Sequence, residues 1–246
     1  MATPNDERLD PRNGVDPLSW ADHAARYTFA ASVAYGHVWD AACGIGYGTD
    51  ILAQNKNHQV VSIYACDRDA DAIAYAKEHY ANVLTTFGVH DVEEPLIPTV
   101  VFDVIAAFEM IEHLDKPDAF LANAKSHMHP RGLFLVSTPD RDFNPDGVER
   151  RTVHHRHEYT AKEFFSLLSR HFRSVEMFTQ DVFPMTRIKY MGPLLDPRNT
   201  PPGRVRVLSQ TLPRQPWSVM IAVCSDNDLI RAGLDNMGGC YIGGPT

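Results

Sequence analysis

Between residues 38 and 181, short apolar runs alternate with amphipathic helical patterns, and this alternation constrains the fold more than any other feature of the chain. The runs are Val38–Cys43, Val60–Asp67, Val83–Asp91, Phe102–Phe108, Leu133–Thr138 and Val175–Thr179. Most are continuously apolar, the pattern of parallel strands covered on both faces. The segments between them carry helix signals. Asp69 is placed to cap a helix with Ile73, Ala76 and Tyr80 on one face. Phe120, Leu121, Ala124 and Met128 form a second stripe, closed by Pro130 and Gly132. Thr160-x-x-Glu163 is a capping-box pattern opening a helix with Phe164, Leu168 and Phe172. Regular alternation with short connections predicts an α/β fold, a doubly wound and mostly parallel sheet.

Two stretches break the rhythm. Arg141 to Tyr159 is a polar connection dense in Arg and His. Pro184 to Trp217 holds 7 of the chain's 17 prolines and reads as a long irregular insertion before a last strand, Trp217–Cys224. Residues 1–17, with three prolines, read as a flexible arm, and the glycine-rich residues 231–246 as a mobile tail. The domain itself is expected over residues 18–230, with a helix from Leu18 to about Tyr35 at its start. At 44% hydrophobic residues the chain can build a core, which excludes disorder for most of its length. The longest apolar run, Trp217–Cys224, is too short to span a membrane, and the polar N-terminus does not read as a signal peptide. Four scattered cysteines without metal spacing suit reduced thiols and a cytoplasmic setting. A net charge of -8 disfavours broad nucleic-acid or anionic-membrane binding and favours a small-molecule enzyme.

The strongest local signal is Val38-Trp-Asp-Ala-Ala-Cys-Gly-Ile-Gly-Tyr-Gly48, a strand entering a glycine-rich turn and then a helix. A dinucleotide fingerprint requires a third glycine at position 49, where this chain has Thr49. The turn therefore favours a nucleoside ligand without a pyrophosphate over NAD. Asp67 lies 23 residues beyond Gly44, at the carboxyl end of the second run, where an acid accepts both ribose hydroxyls. Asp91 ends the third run and is placed to accept from an adenine amino group. Asp40, Asp67, Asp91 and Glu109 thus put polar groups at four successive strand ends, the ligand-binding edge of such sheets.

These residues resemble the class I S-adenosylmethionine-dependent methyltransferases, in particular their type 11 small-molecule group, over residues 20–181. Asp40-Ala-Ala-Cys-Gly-Ile-Gly-Tyr-Gly48 is similar to the cofactor loop, and Ala65-Cys-Asp67 to the ribose-binding strand end. Phe102-Asp-Val-Ile-Ala-Ala-Phe-Glu-Met-Ile-Glu-His-Leu114 resembles the fourth-strand motif, and His129-Pro-Arg-Gly-Leu-Phe-Leu-Val-Ser-Thr-Pro139 the fifth-strand turn. His155-Arg-His-Glu-Tyr-Thr160 is similar to a His-x-x-Glu-Tyr segment of members met beside sugar-modifying genes. The chain departs from the family pattern at Arg131, at Asp140 and in the long insertion of about residues 184–216.

The resemblance implies a seven-stranded Rossmann-like methyltransferase fold with an antiparallel last strand. It implies S-adenosylmethionine as cofactor, held by Asp40, Ala42, Gly44, Gly46, Asp67, Arg68, Asp91, Val92, Phe108 and Glu109. Arg26 would pair with the methionine carboxylate and Tyr27 would cover it. The methyl acceptor is expected to be an oxygen or nitrogen of a polar or anionic small molecule, a sugar or nucleotide-linked sugar being one such case. An RNA or protein methyltransferase, or a cofactor-binding protein without turnover, are the competing readings. His113 is expected to act as general base and His155 to position the acceptor. His154, His155 and His157 are spaced like metal ligands but need a carboxylate partner, and no metal is assigned. Six basic residues stand against the single Asp196 between Met185 and Trp217, which suits a lid over an anionic acceptor.

Overall fold

A computed structural model of the chain describes residues 9–54, 59–96, 100–142, 154–182, 186–190 and 218–226. One sheet organises them. Its strands are β1 (Gly36–Ala41), β2 (Val60–Asp67), β3 (Thr85–Val89), β4 (Phe102–Phe108), β5 (Met128–Pro139), β6 (Ser174–Val182), β7 (Thr186–Tyr190) and β8 (Ser218–Ser225). Their order is β3-β2-β1-β4-β5-β8-β6-β7. The first five run parallel, and β8 lies antiparallel between β5 and β6. The order reverses between β1 and β4, the crevice where doubly wound sheets bind ligands.

Helices cover both faces, which is why the central runs read as continuously apolar. On one face Tyr27 and Ala30 of α1 (Pro17–Val33), Leu52 of α2 (Tyr47–Ala53) and Ile73 and Ala76 of α3 (Ala70–His79) pack on Val38, Val104 and Ile221. On the other, Phe120 and Leu121 of α4 (Pro117–Ser126) and Phe164 and Leu168 of α5 (Ala161–Ser169) pack on Trp39, Ile105 and Phe134. Asp69 caps α3 through the backbone of Asp71 and Ala72, and Thr160 with Glu163 forms the expected capping box on α5.

Three local expectations are corrected. Met128 does not close the α4 stripe but opens β5, and Pro130 and Gly132 lie inside that strand. They fall in a register shift, where Phe102 pairs with Met128 and Val104 with Leu133, so a missing proline N–H costs nothing there. The seven expected strands are all present, and among the described residues an eighth, β7, adds to the edge by folding back on β6 inside the stretch expected to be irregular. Thr186, Ile188 and Tyr190 alternate with basic residues and include no proline, a strand pattern hidden by the prolines around it. Lastly, part of the expected flexible arm is tied down. The Asp10 carboxylate accepts from the Tyr75 hydroxyl at 2.7 Å, and Asp16 caps α1. Most of the basic insertion, including Arg204 and Arg206, and the 231–246 tail lie outside the described residues.

Candidate active site

β1 ends in a tight loop that reaches α2. Ala42, Gly44 and Gly46 have φ of 60°, 57° and 91°, the left-handed region. Gly46 caps α2, and a Cβ there would meet the Ala76 methyl at 2.8 Å. Asp67, at the end of β2, pins this loop: its carboxylate accepts from the Gly44 N–H at 3.0 Å and from the Asp69 N–H at 2.9 Å. Asp40 lies wholly buried beneath the loop, where it accepts from the Thr49 hydroxyl at 2.6 Å and the Tyr27 hydroxyl at 3.1 Å. Burial pushes its carboxyl up to about 7, against the downward pull of those two hydrogen bonds. Thr49, noted in the sequence for not being glycine, is therefore the residue that satisfies Asp40.

Above the loop lies a cavity of about 370 Å³ at the carboxyl ends of β1, β2 and β4. Arg26, Tyr27, Ala42, Gly44, Asp67 and Arg68 line one part of it, and Asp91, Val92, Phe108, Glu109 and His113 another, all expected from the sequence. Asp40, Gly46 and His155 do not line it. Asp40 supports Tyr27 and Thr49 from below, Gly46 turns the chain, and His155 packs edge-on against His113 with ring centroids 4.9 Å apart. The cavity also uses His23, Tyr47 and Leu9, which sequence reasoning missed. His23 Nδ1 and the Tyr47 hydroxyl are 3.0 Å apart. The available signal was His23 lying one helical turn before Arg26 and Tyr27.

Arg26 is 1% exposed. One terminal nitrogen meets Asp22 and Gln180 at 3.3 Å each, and the other, Nη2, has no hydrogen-bond partner among the described residues. Desolvation works against its charge, and the carboxylates of Glu109 and Asp22 more than offset this. Arg26 lines the cavity, and a guanidinium there with a buried N–H to spare fits the carboxylate of an amino-acid ligand. The loop, Asp67 and Asp91 fit the nucleoside portion. The residues present thus suit S-adenosylmethionine.

At the other end stand two buried acids. Glu109 follows β4 with φ of 50°, a strained geometry for a non-glycine residue, and its carboxylate accepts from the Ser137 hydroxyl at 2.6 Å. Glu112 lies in a 3₁₀ turn (Ile111–His113) and accepts from the Thr138 hydroxyl at 3.1 Å. Burial raises both carboxyls, and Glu109's charge raises that of Glu112 further. His113 Nε2 is 3.9 Å from the Glu112 carboxylate. His155 arrives from the connection after β5, because Arg156 and His157 donate their N–H groups to the Glu112 carbonyl. The carboxylate that His154, His155 and His157 lacked in sequence is thus supplied by Glu112, and it groups with His113 and His155 rather than with the three neighbours.

The sequence matches the model of a family described as "Methyltransferase domain" over residues 14–180. A Mycolicibacterium smegmatis protein named "Probable S-adenosylmethionine-dependent methyltransferase" is 32% identical over 132 residues, covering 53% of this chain and 49% of that protein. The mitochondrial ubiquinone biosynthesis O-methyltransferase of Saccharomyces cerevisiae is 33% identical over 109 residues, covering 43% of this chain and 34% of that one. The matched region therefore spans about half, or less, of the length of these relatives. Among solved structures, that of the small RNA methyltransferase HEN1 superposes with a TM-score of 0.60 at 21% identity, covering 92% of this chain and 28% of that one, a likeness of fold.

Proposed function

We propose, on the premise that this chain belongs to the methyltransferase-domain family, that it transfers the methyl group of S-adenosylmethionine to a hydroxyl oxygen of a small molecule. Arg26, with its buried and unpartnered Nη2, lines a cavity whose loop and acids suit a nucleoside, and this is the observation that carries the reading. An O-methyltransferase among the relatives supports oxygen as the acceptor atom. Within that class we favour a sugar or nucleotide-linked sugar, on the resemblance of His155-Arg-His-Glu-Tyr-Thr160 to segments of sugar-modifying members.

In the transfer, the acceptor oxygen forms a bond to the methyl carbon, and the carbon–sulfur bond breaks with its electron pair left on sulfur. Holding these atoms in line supplies up to about 7–11 kcal/mol. The protein must also receive the hydroxyl proton, and the Glu112, His113 and His155 group is the receiver in this reading. His113 Nδ1 lies 3.1 Å from the His154 carbonyl. A carbonyl only accepts, so Nδ1 carries the hydrogen and Nε2 is the basic nitrogen. His155, beside it, positions the acceptor. Calorimetry with S-adenosylmethionine and with NAD tests the cofactor: heat with the first and none with the second is expected, and the reverse overturns the reading. A labelled-methyl assay over sugars, nucleotide sugars, phenols and short RNA then tests the acceptor. Transfer to RNA alone would move the assignment to a macromolecule.

A further inference from the structure

We propose that Glu112, His113 and His155 bind a divalent transition-metal ion at the rim of the cavity. Each residue offers one ligand atom, and these atoms lie within 4.8 Å of one another. Ligand atoms about 2.1 Å from an ion stand roughly 3–3.4 Å apart, so small side-chain rotations close this set around one. The surroundings of the ligands are what such a site needs. His113 donates its Nδ1 hydrogen to a backbone carbonyl, and His155 Nδ1 lies 3.0 Å from the Glu158 carboxylate. An imidazole oriented through one nitrogen by a carbonyl or carboxylate, with the other turned to the ion, is the usual state of a ligating histidine.

Glu112 is as firmly held. It is 1% exposed, hydrogen-bonded to Thr138, and its own backbone carbonyl anchors the segment that carries His155. Glu109, also buried, lies close enough to act on it electrostatically. Among the described residues, no Lys or Arg forms an ion pair with Glu112, and the charge of Arg26 counts first for Glu109 and least among the influences on Glu112, so Glu112 lacks a close counter-charge. A cation supplies one. Two imidazole nitrogens and one carboxylate oxygen favour Mn²⁺, Fe²⁺, Co²⁺ or Zn²⁺ over Mg²⁺ or Ca²⁺. Three protein ligands leave coordination positions open, as catalytic sites do. The role of the ion rests on the methyl-transfer reading above, and the ion would replace His113 as the base there, because His113 Nε2 would be taken up by it. The ion would hold a hydroxyl of the acceptor, or two vicinal ones, and lower its pKa so that the proton leaves to solvent.

Chelator-treated full-length chain is titrated with Mn²⁺, followed by the loss of the free-ion paramagnetic resonance signal, and with Co²⁺, followed by visible absorption. One ion per chain is expected, with Mg²⁺ competing weakly. Glu112→Gln and His155→Asn should each weaken uptake at least tenfold, and Glu158→Gln, which frees the His155 ring, about tenfold. His157→Asn should leave uptake unchanged. Circular dichroism checks that each variant is folded, and His155, partly buried where Glu112 is fully buried, makes the safer substitution. No uptake by the parent chain, or uptake indifferent to His155→Asn, overturns the site. Calorimetry with S-adenosylmethionine on the same chelated sample separates the two readings. Cofactor heat without ion uptake overturns the metal and leaves methyl transfer standing, whereas ion uptake without cofactor heat supports the metal and sinks the cofactor assignment.

Discussion

Arg26 shows how much of this site depends on single side chains. A guanidinium 1% exposed is expensive to bury unless every donor is used, and one terminal nitrogen remains without a partner among the described residues. A carboxylate ligand would relieve that cost on binding. Arg26→Lys keeps the charge and loses the planar fork. It should weaken S-adenosylmethionine at least tenfold by calorimetry, about 1.4 kcal/mol or more. Affinity unchanged within twofold would mean that Nη2 does not meet the ligand. Asp67 carries a second duty that its sequence position did not announce. Because it accepts from Gly44 and Asp69, it shapes the loop as well as facing the cavity.

At the scale of elements, the cavity exists because α1 lies across the start of α2 at very close range. A Cβ on Gly48 would stand 2.1 Å from the Tyr27 ring. Gly48 thus serves the contact between the two helices, rather than a close approach of backbone to ligand. Gly48→Ala should push Tyr27 off Asp40, at a cost of about 1–3 kcal/mol. At roughly 2–4 °C per kcal/mol in a chain of this size, a clear fall in Tm is expected. Cofactor affinity should fall with it, since Tyr27 lines the cavity. An unchanged Tm would show that α1 does not bear on α2 as described. The turn Ile111–His113 and the segment after β5 form a second such pair, joined through the Glu112 carbonyl.

For the whole molecule, the sheet places its last described strand, β8, between β5 and β6, so a strand late in the sequence is inserted between two earlier ones. Both faces are closed by helices, and a charge beneath them is costly. Asp40 is the test of that cost. Its folded carboxyl is raised to about 7, above the ordinary aspartate value of about 3.9. Between those values the folded chain binds a proton that the unfolded chain does not, so this group's contribution to stability falls as pH rises through the window. Asp40→Asn removes that dependence. The Tm of the variant relative to the parent should therefore climb from pH 4 to pH 7 and level off above it. A difference that stays flat across the window would return Asp40 to an ordinary ionised acid.

The sequence by itself determined the α/β class, the bounds of β2 and β4, and the cavity residues of the β1 loop, because periodicity and strand-end chemistry are local and each strand end carries its own acid. It placed Asp67, Asp91, Glu109 and His113 at one edge for the same reason. The register shift that takes Met128 out of α4 was not legible, since it depends on which residues of β4 lie opposite. Nor was β7, whose pairing with β6 outweighs the prolines around it. The union of Glu112 with His113 and His155 was decided by tertiary structure alone. Two backbone N–H groups of a distant connection find their acceptor at the Glu112 carbonyl, and hydrogen bonds between remote segments leave no period or motif in the chain.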